Sequence, residues 1–241
     1  MSEAADTPAV FLDFDGTISR ADVVDAILER YAAPAWLDVE AEWRGGRLGS
    51  RECLRRQMAL VTAAPARLDA LIDAIGIDAG FVALLDVCAA ARVPVHIVSD
   101  GFDYCIQRLL RLAPAAAQGQ VQAVRICSSH LEPGDDGAWR TAFPFPEEAC
   151  AHGCATCKPA VMRQLTPARG AAIFVGDGLS DRYAAGAADL VYAKDKLAAY
   201  CVEQHIAHVP FRSLADVARD VNDKLLGGHV VRRRAATPAT A

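Results

Sequence analysis

The sequence lacks any uninterrupted apolar run of about 20 residues, the length that a membrane-spanning helix requires. It also lacks a basic N-terminal segment followed by an apolar stretch, so we expect no export signal and a cytoplasmic protein. Basic residues are in deficit, with 25 Lys and Arg against 30 Asp and Glu and a formal net charge of -5. That balance argues against a nucleic-acid partner. A small molecule is the expected partner, with neither nucleic acid nor membrane involved.

Short apolar runs alternate with helical patterns along much of the chain, which is 53% hydrophobic and 23% charged. Strands are predicted over residues 9–14, 93–98, 171–175 and 190–193, and helices over 81–91 and 159–165. This alternation predicts an α/β protein with a Rossmann-like, doubly wound parallel sheet. Ligands bind at the carboxyl ends of the strands in such sheets, and three of the runs end there in an acidic, glycine-containing turn.

The first and second predicted strands are separated by far more chain than the dozen or so residues that a crossover requires. Amphipathic helical patterns fill this segment, so we predict a small helical cap over residues 19–80 inserted after the first strand. The catalytic core would then comprise residues 1–18 and 81–226. Trp36 and Trp43 are predicted to pack in the core of the cap, with the alternative that one of them lines the pocket for the leaving group. Residues 227–241, rich in Arg, Ala and Thr, are predicted to be a disordered tail.

Acidic residues occur in pairs after two of the predicted strands. Asp13 and Asp15 are two residues apart and would share one face of an extended chain. Alone, such a pair is more typical of a polar turn than of a catalytic site. Asp177 and Asp181 follow another strand, and four carboxylates at converging strand ends repel one another unless a cation lies among them. Mg²⁺, which binds carboxylate oxygens and water, suits this set.

A group that binds anions is predicted beside these carboxylates. Lys158 precedes a helix, and Ser99 is followed by Asp100 and Gly101 after the second strand. A lysine, a hydroxyl group and backbone N–H groups can hold the oxygens of a phosphoryl group. The residues together predict a nucleophile, an acid, a cation site and a phosphate clamp.

The motifs resemble those of the haloacid dehalogenase superfamily, and of its subgroup that contains phosphoserine phosphatases. They are Asp13-Phe-Asp-Gly-Thr17, Ser99-Asp-Gly101, Lys158 and Gly176-Asp-Gly-Leu-Ser-Asp181. The resemblance implies a phosphatase in which Asp13 attacks phosphorus and Asp15 is the acid and base. It further implies that Ser99 and Lys158 hold the phosphoryl group. Mg²⁺ would be bound by Asp13, the Asp15 carbonyl and Asp177, with Asp181 orienting the set.

Three further segments are similar to the methionine-salvage phosphatases that act on 2-hydroxy-3-keto-5-methylthiopentenyl 1-phosphate. They are the cysteine-containing loop that leads into Lys158-Pro159, Tyr192-Ala-Lys-Asp195 with Cys201, and His208-Val-Pro-Phe211. Asp22 stands where phosphoserine phosphatases carry a glutamate, so it is a substrate-binding candidate, although it equally suits a helix N-cap. Phosphoserine and phosphoethanolamine or phosphocholine remain alternative substrates. A phosphotransferase and a noncatalytic binding protein are the alternatives of another class.

A cluster of soft ligands precedes Lys158. Cys150, His152, Cys154 and Cys157 form a candidate structural zinc site, although their spacing is not that of a standard zinc knuckle. The alternatives are a thioredoxin-like pair in Cys154-Ala-Thr-Cys157 and, in a reducing cytosol, free thiols.

Overall fold

A seven-stranded sheet forms the centre of the molecule in the computed structural model, which describes residues 7–226. The strand order is β4-β3-β2-β1-β5-β6-β7, and every neighbouring pair is parallel except β3 and β4. The strands are β1 (Ala9–Leu12), β2 (Val95–Phe102), β3 (Arg125–Pro133), β4 (Trp139–Ala142), β5 (Ala172–Gly176), β6 (Leu190–Ala193) and β7 (Val209–Pro210).

Helices cover both faces of this sheet. Along β1, Val10 and Leu12 belong to one hydrophobic cluster, whereas Ala9 and Phe11 belong to a second cluster on the opposite face. A strand buried on both faces needs apolar residues at every position, which explains the continuous apolar runs. The predicted α/β class with a doubly wound, Rossmann-like sheet is confirmed.

Eleven helices of four residues or more connect the strands within residues 7–226. The first four are α1 (Val23–Tyr31), α2 (Trp36–Arg44), α3 (Ser50–Met58) and α4 (Pro65–Ile75). The others are α5 (Gly80–Ala90), α6 (Asp103–Leu110), α7 (Gln118–Ala123), α8 (Lys158–Leu165), α9 (Arg182–Ala187), α10 (Asp195–Glu203) and α11 (Leu214–Leu226). None of the helices in this part of the chain has the length and apolarity needed to cross a lipid bilayer.

The end of β2 differs from the prediction. A strand over 93–98 followed by a polar turn was expected, but β2 continues through Ser99, Asp100 and Gly101 to Phe102. Its pairing with β3 shifts in register between Val98 and Phe102. The polar residues therefore stay extended, because an irregular ladder with β3 continues past the apolar run.

The insert between β1 and α5 contains α1 to α4 and joins the rest of the chain through two adjacent segments. Ser19 and Ile77 form an antiparallel bridge, and the Asp78 N–H donates to the Ile18 carbonyl at 2.7 Å. We call these two segments the neck. The predicted boundaries at residues 18/19 and 80/81 lie close to the neck and stay a prediction. The predicted tail, residues 227–241, lies outside the described residues.

Candidate active site

The loop that follows β1 buries one carboxylate and then turns the chain sharply. The Asp13 N–H donates to the Val175 carbonyl at 2.9 Å, and the residue is only 3% exposed. Gly16 has a φ of 75°, and a Cβ atom there would lie 2.4 Å from Asp177 Oδ2. Glycine is required at this position by the left-handed backbone and by the neighbouring carboxylate.

The Asp15 carboxylate lies between the start of α1 and the end of β2. Its Oδ1 accepts a hydrogen bond from the Val23 N–H at 3.0 Å, and its Oδ2 accepts one from the Ser99 hydroxyl at 3.5 Å. Burial, followed by repulsion from Asp22, raises the pKa of Asp15 well above its ordinary value. A raised pKa helps a carboxyl group to keep its proton and to act as a general acid.

Lys158, the first residue of α8, supplies a buried cation. Its Nζ donates to Asp13 Oδ1 at 2.6 Å and to Asp181 Oδ1 at 2.5 Å, and the residue is 2% exposed. Burial opposes the charge, but attraction to Asp13, Asp181 and Asp100 outweighs it and raises the pKa of Lys158 above its ordinary value. The lysine therefore stays charged and links the end of β1 to the loop after β5.

Three carboxylates beside this lysine are close enough to share one metal ion. Oxygens of Asp13, Asp177 and Asp181 lie within 4.8 Å of one another. Burial, and then the charge of Asp181, raises the pKa of Asp13 well above its ordinary value and that of Asp177 to about 6. A bound cation would remove the repulsion, and hard oxygen donors are those that Mg²⁺ prefers. The donor set therefore fits a divalent cation.

Hydrogen bonds hold Asp181 and Asp177 in place. Asp181 Oδ2 accepts from the N–H groups of Asp177 and Gly178 at 3.0 and 3.1 Å, while its Oδ1 accepts from Lys158. The Thr17 hydroxyl donates to Asp177 Oδ1 at 2.5 Å. Since both oxygens of Asp181 have donors, the geometry suits the orienting role that was predicted for it, which stays a prediction.

Ser99 and Gly101 bring the end of β2 against the Asp15 carboxylate. The Ser99 hydroxyl accepts from the Gly101 N–H at 3.0 Å. A Cβ atom on Gly101 would lie 2.0 Å from Asp15 Oδ2, so no larger residue fits there without moving the carboxylate. Asp100 Oδ1 accepts from the Thr156 N–H at 3.0 Å and so holds the loop that precedes α8. The phosphate-binding roles of residues 99–101 stay a prediction.

A cavity of about 380 Å³ lies between the strand ends and the insert, a volume suited to a small ligand. Asp13, Asp15 and Asp177 line its core side. The insert contributes the acidic residues Asp22, Asp25 and Glu40 and the apolar residues Val24, Trp43 and Leu54. Arg44 and Lys196 also line it, so the cavity joins a carboxylate-rich end to an end that mixes charges of both signs with apolar residues.

Asp22 directly precedes α1, and two tryptophans, Trp36 and Trp43, lie on α2. Asp22 Oδ1 accepts from the Asp25 N–H at 2.9 Å as the N-cap of α1, so the N-cap interpretation is confirmed. Asp22 also lines the cavity, but its contact with a substrate stays a prediction. Trp36 packs against the main hydrophobic cluster. Trp43 is not buried in the cap and lines the cavity, which is the alternative predicted for one of the two tryptophans. Its spacing from Trp36 indicates a shared helix face, but not what covers that face.

The four predicted zinc ligands line one open cleft, but they are not placed to share a metal ion. The Sγ atoms of Cys150 and Cys154 are 3.6 Å apart, whereas the His152 ring stacks on Tyr183 with ring centroids 3.9 Å apart. Within residues 7–226, the groups of three side chains placed to share a metal comprise the aspartate triplet alone. The zinc site stays a prediction that this geometry does not support.

Residues 10–186 match the family described as haloacid dehalogenase-like hydrolases, and they include both carboxylate pairs, Ser99 and Lys158. The chain belongs to this family. This result agrees with the order of the strands around β1 and with the resemblance of the four sequence motifs to those of the family.

The relatives of this haloacid dehalogenase-like hydrolase are phosphatases. A 2-hydroxy-3-keto-5-methylthiopentenyl-1-phosphate phosphatase of Exiguobacterium sp. is 29% identical over 212 residues, which are 87% of this chain and 94% of that protein. A substrate-bound phosphoserine phosphatase has a TM-score of 0.64 at 16% identity and covers 89% of this chain and 98% of its own. The phosphoserine phosphatase from T. onnurineus has a TM-score of 0.65 at 10% identity, covering 92% and 98%. These two structures share the fold of this chain. The family match and the curated relatives show that the chain is a phosphatase.

The hydrolase has site residues that the sequence did not single out. Thr17 binds Asp177, and its place two residues after Asp15 is a signal that could have identified it. Gln57 is buried and donates to Glu40 Oε2 at 3.1 Å. A buried amide on α3 and an acid on α2 carry no local sequence signal, because only the packing of the two helices brings them to the cavity.

Proposed function

We propose that this phosphatase hydrolyses small phosphate monoesters with Mg²⁺ through an aspartyl phosphate formed on Asp13. The observation that carries the proposal is the position of Asp13 at the end of the central strand β1. There it touches Lys158 and shares a possible cation site with Asp177 and Asp181. A buried carboxylate next to a fixed cation suits a nucleophile whose phosphorylated form must be stabilised.

The chemistry proceeds in two steps. A carboxylate oxygen of Asp13 attacks phosphorus, the ester P–O bond breaks, and Asp15 donates a proton to the departing oxygen. Asp15 then takes a proton from a water molecule, which attacks the acyl phosphate and releases inorganic phosphate and free Asp13. Lys158 and Ser99 hold the phosphoryl oxygens in line. The raised pKa of Asp15 supports its role as the acid in the first step.

The residues that would hold Mg²⁺ are Asp13, Asp177 and the main-chain carbonyl of Asp15. When bound, the ion would neutralise the clustered carboxylates and the phosphoryl oxygens. Asp181 fixes the loop through its bonds to the Asp177 and Gly178 N–H groups. These ligand assignments are part of the proposal.

Asp13→Asn tests the nucleophile. We expect phosphate release from p-nitrophenyl phosphate to fall by about 10⁴-fold or more, because the amide cannot form the acyl phosphate. Circular dichroism should show an unchanged fold. Asp135→Asn, in the exposed turn after β3, is the matched control and should keep full activity. Near-normal turnover by Asp13→Asn would contradict the mechanism.

We propose 2-hydroxy-3-keto-5-methylthiopentenyl 1-phosphate as the substrate. The curated relatives carry that name, and Val24, Trp43 and Leu54 give the cavity an apolar surface that suits a methylthio group. Such a metabolite suits the predicted cytoplasmic location. Phosphoserine or phosphoethanolamine is the second candidate, since Asp22 and Asp25 on the same cavity could bind an ammonium group.

A panel of esters separates these candidates. With Mg²⁺ present, we expect kcat/KM for the methylthiopentenyl ester to exceed those for phosphoserine, phosphoethanolamine and phosphocholine by about tenfold or more. Asp22→Asn should change the preferred reaction little. The highest kcat/KM on an ammonium-bearing ester, together with its loss in Asp22→Asn, would favour the second candidate. Transfer of phosphate to an added alcohol in place of water would indicate a phosphotransferase.

A further inference from the structure

The loop between β4 and α8 contains a thiol cluster outside the catalytic cavity. The Sγ atoms of Cys150 and Cys154 lie 3.6 Å apart. Burial opposes ionisation of Cys150, but hydrogen bonds from the N–H groups of Cys154 and His152 and from the thiols of Cys154 and Cys157 outweigh it and lower its pKa. The structure describes all eight cysteines, and the pKa is raised by burial in the other seven.

Both members of this pair can be reached from solvent. Cys150 and Cys154 are half-buried, and they line an open cleft together with Glu147 and Tyr183. The cysteines of the hydrophobic core, such as Cys88, are fully buried. A partly exposed thiol whose thiolate is stabilised is the kind that reacts with oxidants.

The backbone beside the thiols attaches the insert to the core. The Gly153 carbonyl accepts from the Arg51 N–H at 3.1 Å, and the Cys154 carbonyl accepts from the Arg51 guanidinium at 3.3 and 3.2 Å. The Ala155 N–H donates to the Ser50 hydroxyl at 2.9 Å. These residues hold the start of α3. A movement of Cys154 would therefore disturb the contacts between the loop and α3.

We propose that Cys150 and Cys154 form a peroxide-sensitive dithiol whose disulfide displaces this loop from α3 and lowers phosphatase activity. The Cys150 thiolate attacks a peroxide oxygen, the O–O bond breaks, and a sulfenic acid and an alcohol or water result. The Cys154 thiol then attacks the Cys150 sulfur, forms the S–S bond and releases water. The two thiols lose two electrons and the peroxide gains them.

Closure of the disulfide requires the two sulfur atoms to move toward each other. The sulfur atoms must approach from 3.6 Å to the bonded distance of about 2.05 Å, so the backbone or the side chains must shift. The chain runs directly from Cys154 through Thr156, which binds Asp100, to Lys158. A displacement of about 1 Å near catalytic groups lowers turnover strongly.

The test uses the reduced full-length protein treated with hydrogen peroxide, then alkylated, digested and analysed by mass spectrometry. We expect one disulfide, between Cys150 and Cys154, and a fall in kcat/KM of about tenfold that dithiothreitol reverses. Cys154→Ser in a Cys157→Ser background should stop at a sulfenic acid on Cys150, which dimedone traps, because no neighbouring thiol remains. Cys150→Ser should form neither product. Cys88→Ala is the matched control and should still form the disulfide.

Distinct outcomes overturn the inference. A Cys154–Cys157 disulfide, equal alkylation rates for Cys150 and Cys154, or protection of the thiols by a tightly bound metal would each contradict the proposed pair. Unchanged activity in a fully oxidised sample would refute its coupling to α3. The disulfide is detected by mass, so this readout does not depend on which ester the phosphatase hydrolyses.

Discussion

Removal of the divalent cation should make the stability of the protein fall as the pH rises from about 5 to about 8. The carboxylates Asp13 and Asp177 have raised pKa values because they are buried and lie near Asp181. The folded protein therefore binds protons more tightly than the unfolded chain does. The free energy of unfolding therefore decreases as the pH rises through the pKa values that these carboxylates have in the folded protein.

Asp177 sets the scale of the effect. Its pKa is raised from 3.8 to about 6, and each pKa unit corresponds to about 1.4 kcal/mol, so protonated Asp177 contributes about 3 kcal/mol at low pH. About half of this contribution to the free energy of unfolding remains at a pH of about 5, and almost none remains at a pH of about 8. Asp13 and Asp15 act in the same direction, because burial raises the pKa of both.

The assay is urea unfolding followed by circular dichroism, with EDTA or with Mg²⁺, across this pH range. Mg²⁺ at a hundredfold excess over its Kd adds about 2.7 kcal/mol, and the gain should be larger at high pH because the ion binds the charged carboxylates. Groups away from the metal site, such as the half-buried His130, whose pKa is raised by its hydrogen bond to Asp103, titrate under both conditions and cancel in the difference.

Asp177→Asn is the control for this reasoning. The variant should lose part of the pH dependence in EDTA, because one of the titrating carboxylates is gone. Metal-free stability that stays flat or rises between pH values of about 5 and about 8 would refute the reasoning. A Mg²⁺-induced gain that is equal at both ends of the range would also refute it.

Three further substitutions probe other parts of the site. Gly101→Ala should lower kcat by about 10²-fold without unfolding the protein, because the added Cβ atom would lie 2.0 Å from Asp15 Oδ2. Gly119→Ala is the control and should leave kcat unchanged, because a Cβ atom at residue 119 would have no neighbour within 4 Å. Lys158→Met should lower the free energy of unfolding by about 3 to 5 kcal/mol in urea titrations without metal, because it leaves buried carboxylates unpaired; unchanged stability would contradict the ion-pair account. Trp43→Ala should raise KM for the preferred ester by about tenfold, whereas Trp36→Ala should lower the melting temperature; an unchanged KM would exclude substrate contact by Trp43.

The central strands could be predicted from the sequence because both faces of β1 and β5 are buried. Continuous apolar runs follow directly from that environment. The extension of β2 to Phe102 could not be predicted, since it depends on an irregular ladder with β3. Strand pairing is a property of two segments, and one segment alone does not encode its limits.

The site shows the same division between local and non-local information. The positions of Asp13 and Lys158 could be predicted from motifs, because Asp13 directly follows β1 and Lys158 begins α8. The insert side of the cavity could not, since the packing of α2 and α3 decides that Trp43 faces the ligand space. In the thiol loop, the Cys154-Ala-Thr-Cys157 spacing suggested one pair, whereas the sulfur atoms place Cys150 beside Cys154.

The neck makes the insert an exchangeable module. Its two segments are joined by the Ser19 and Ile77 bridge, and the Arg20 N–H donates to the Gly76 carbonyl at 3.2 Å. Because the chain leaves and re-enters the core at neighbouring points, an insert of another length can be placed there, provided that it covers the apolar residues with which the present insert shares one hydrophobic cluster. The ligand side of the cavity can then change by replacing one continuous stretch of chain, while the aspartates at the strand ends and Lys158 keep their positions.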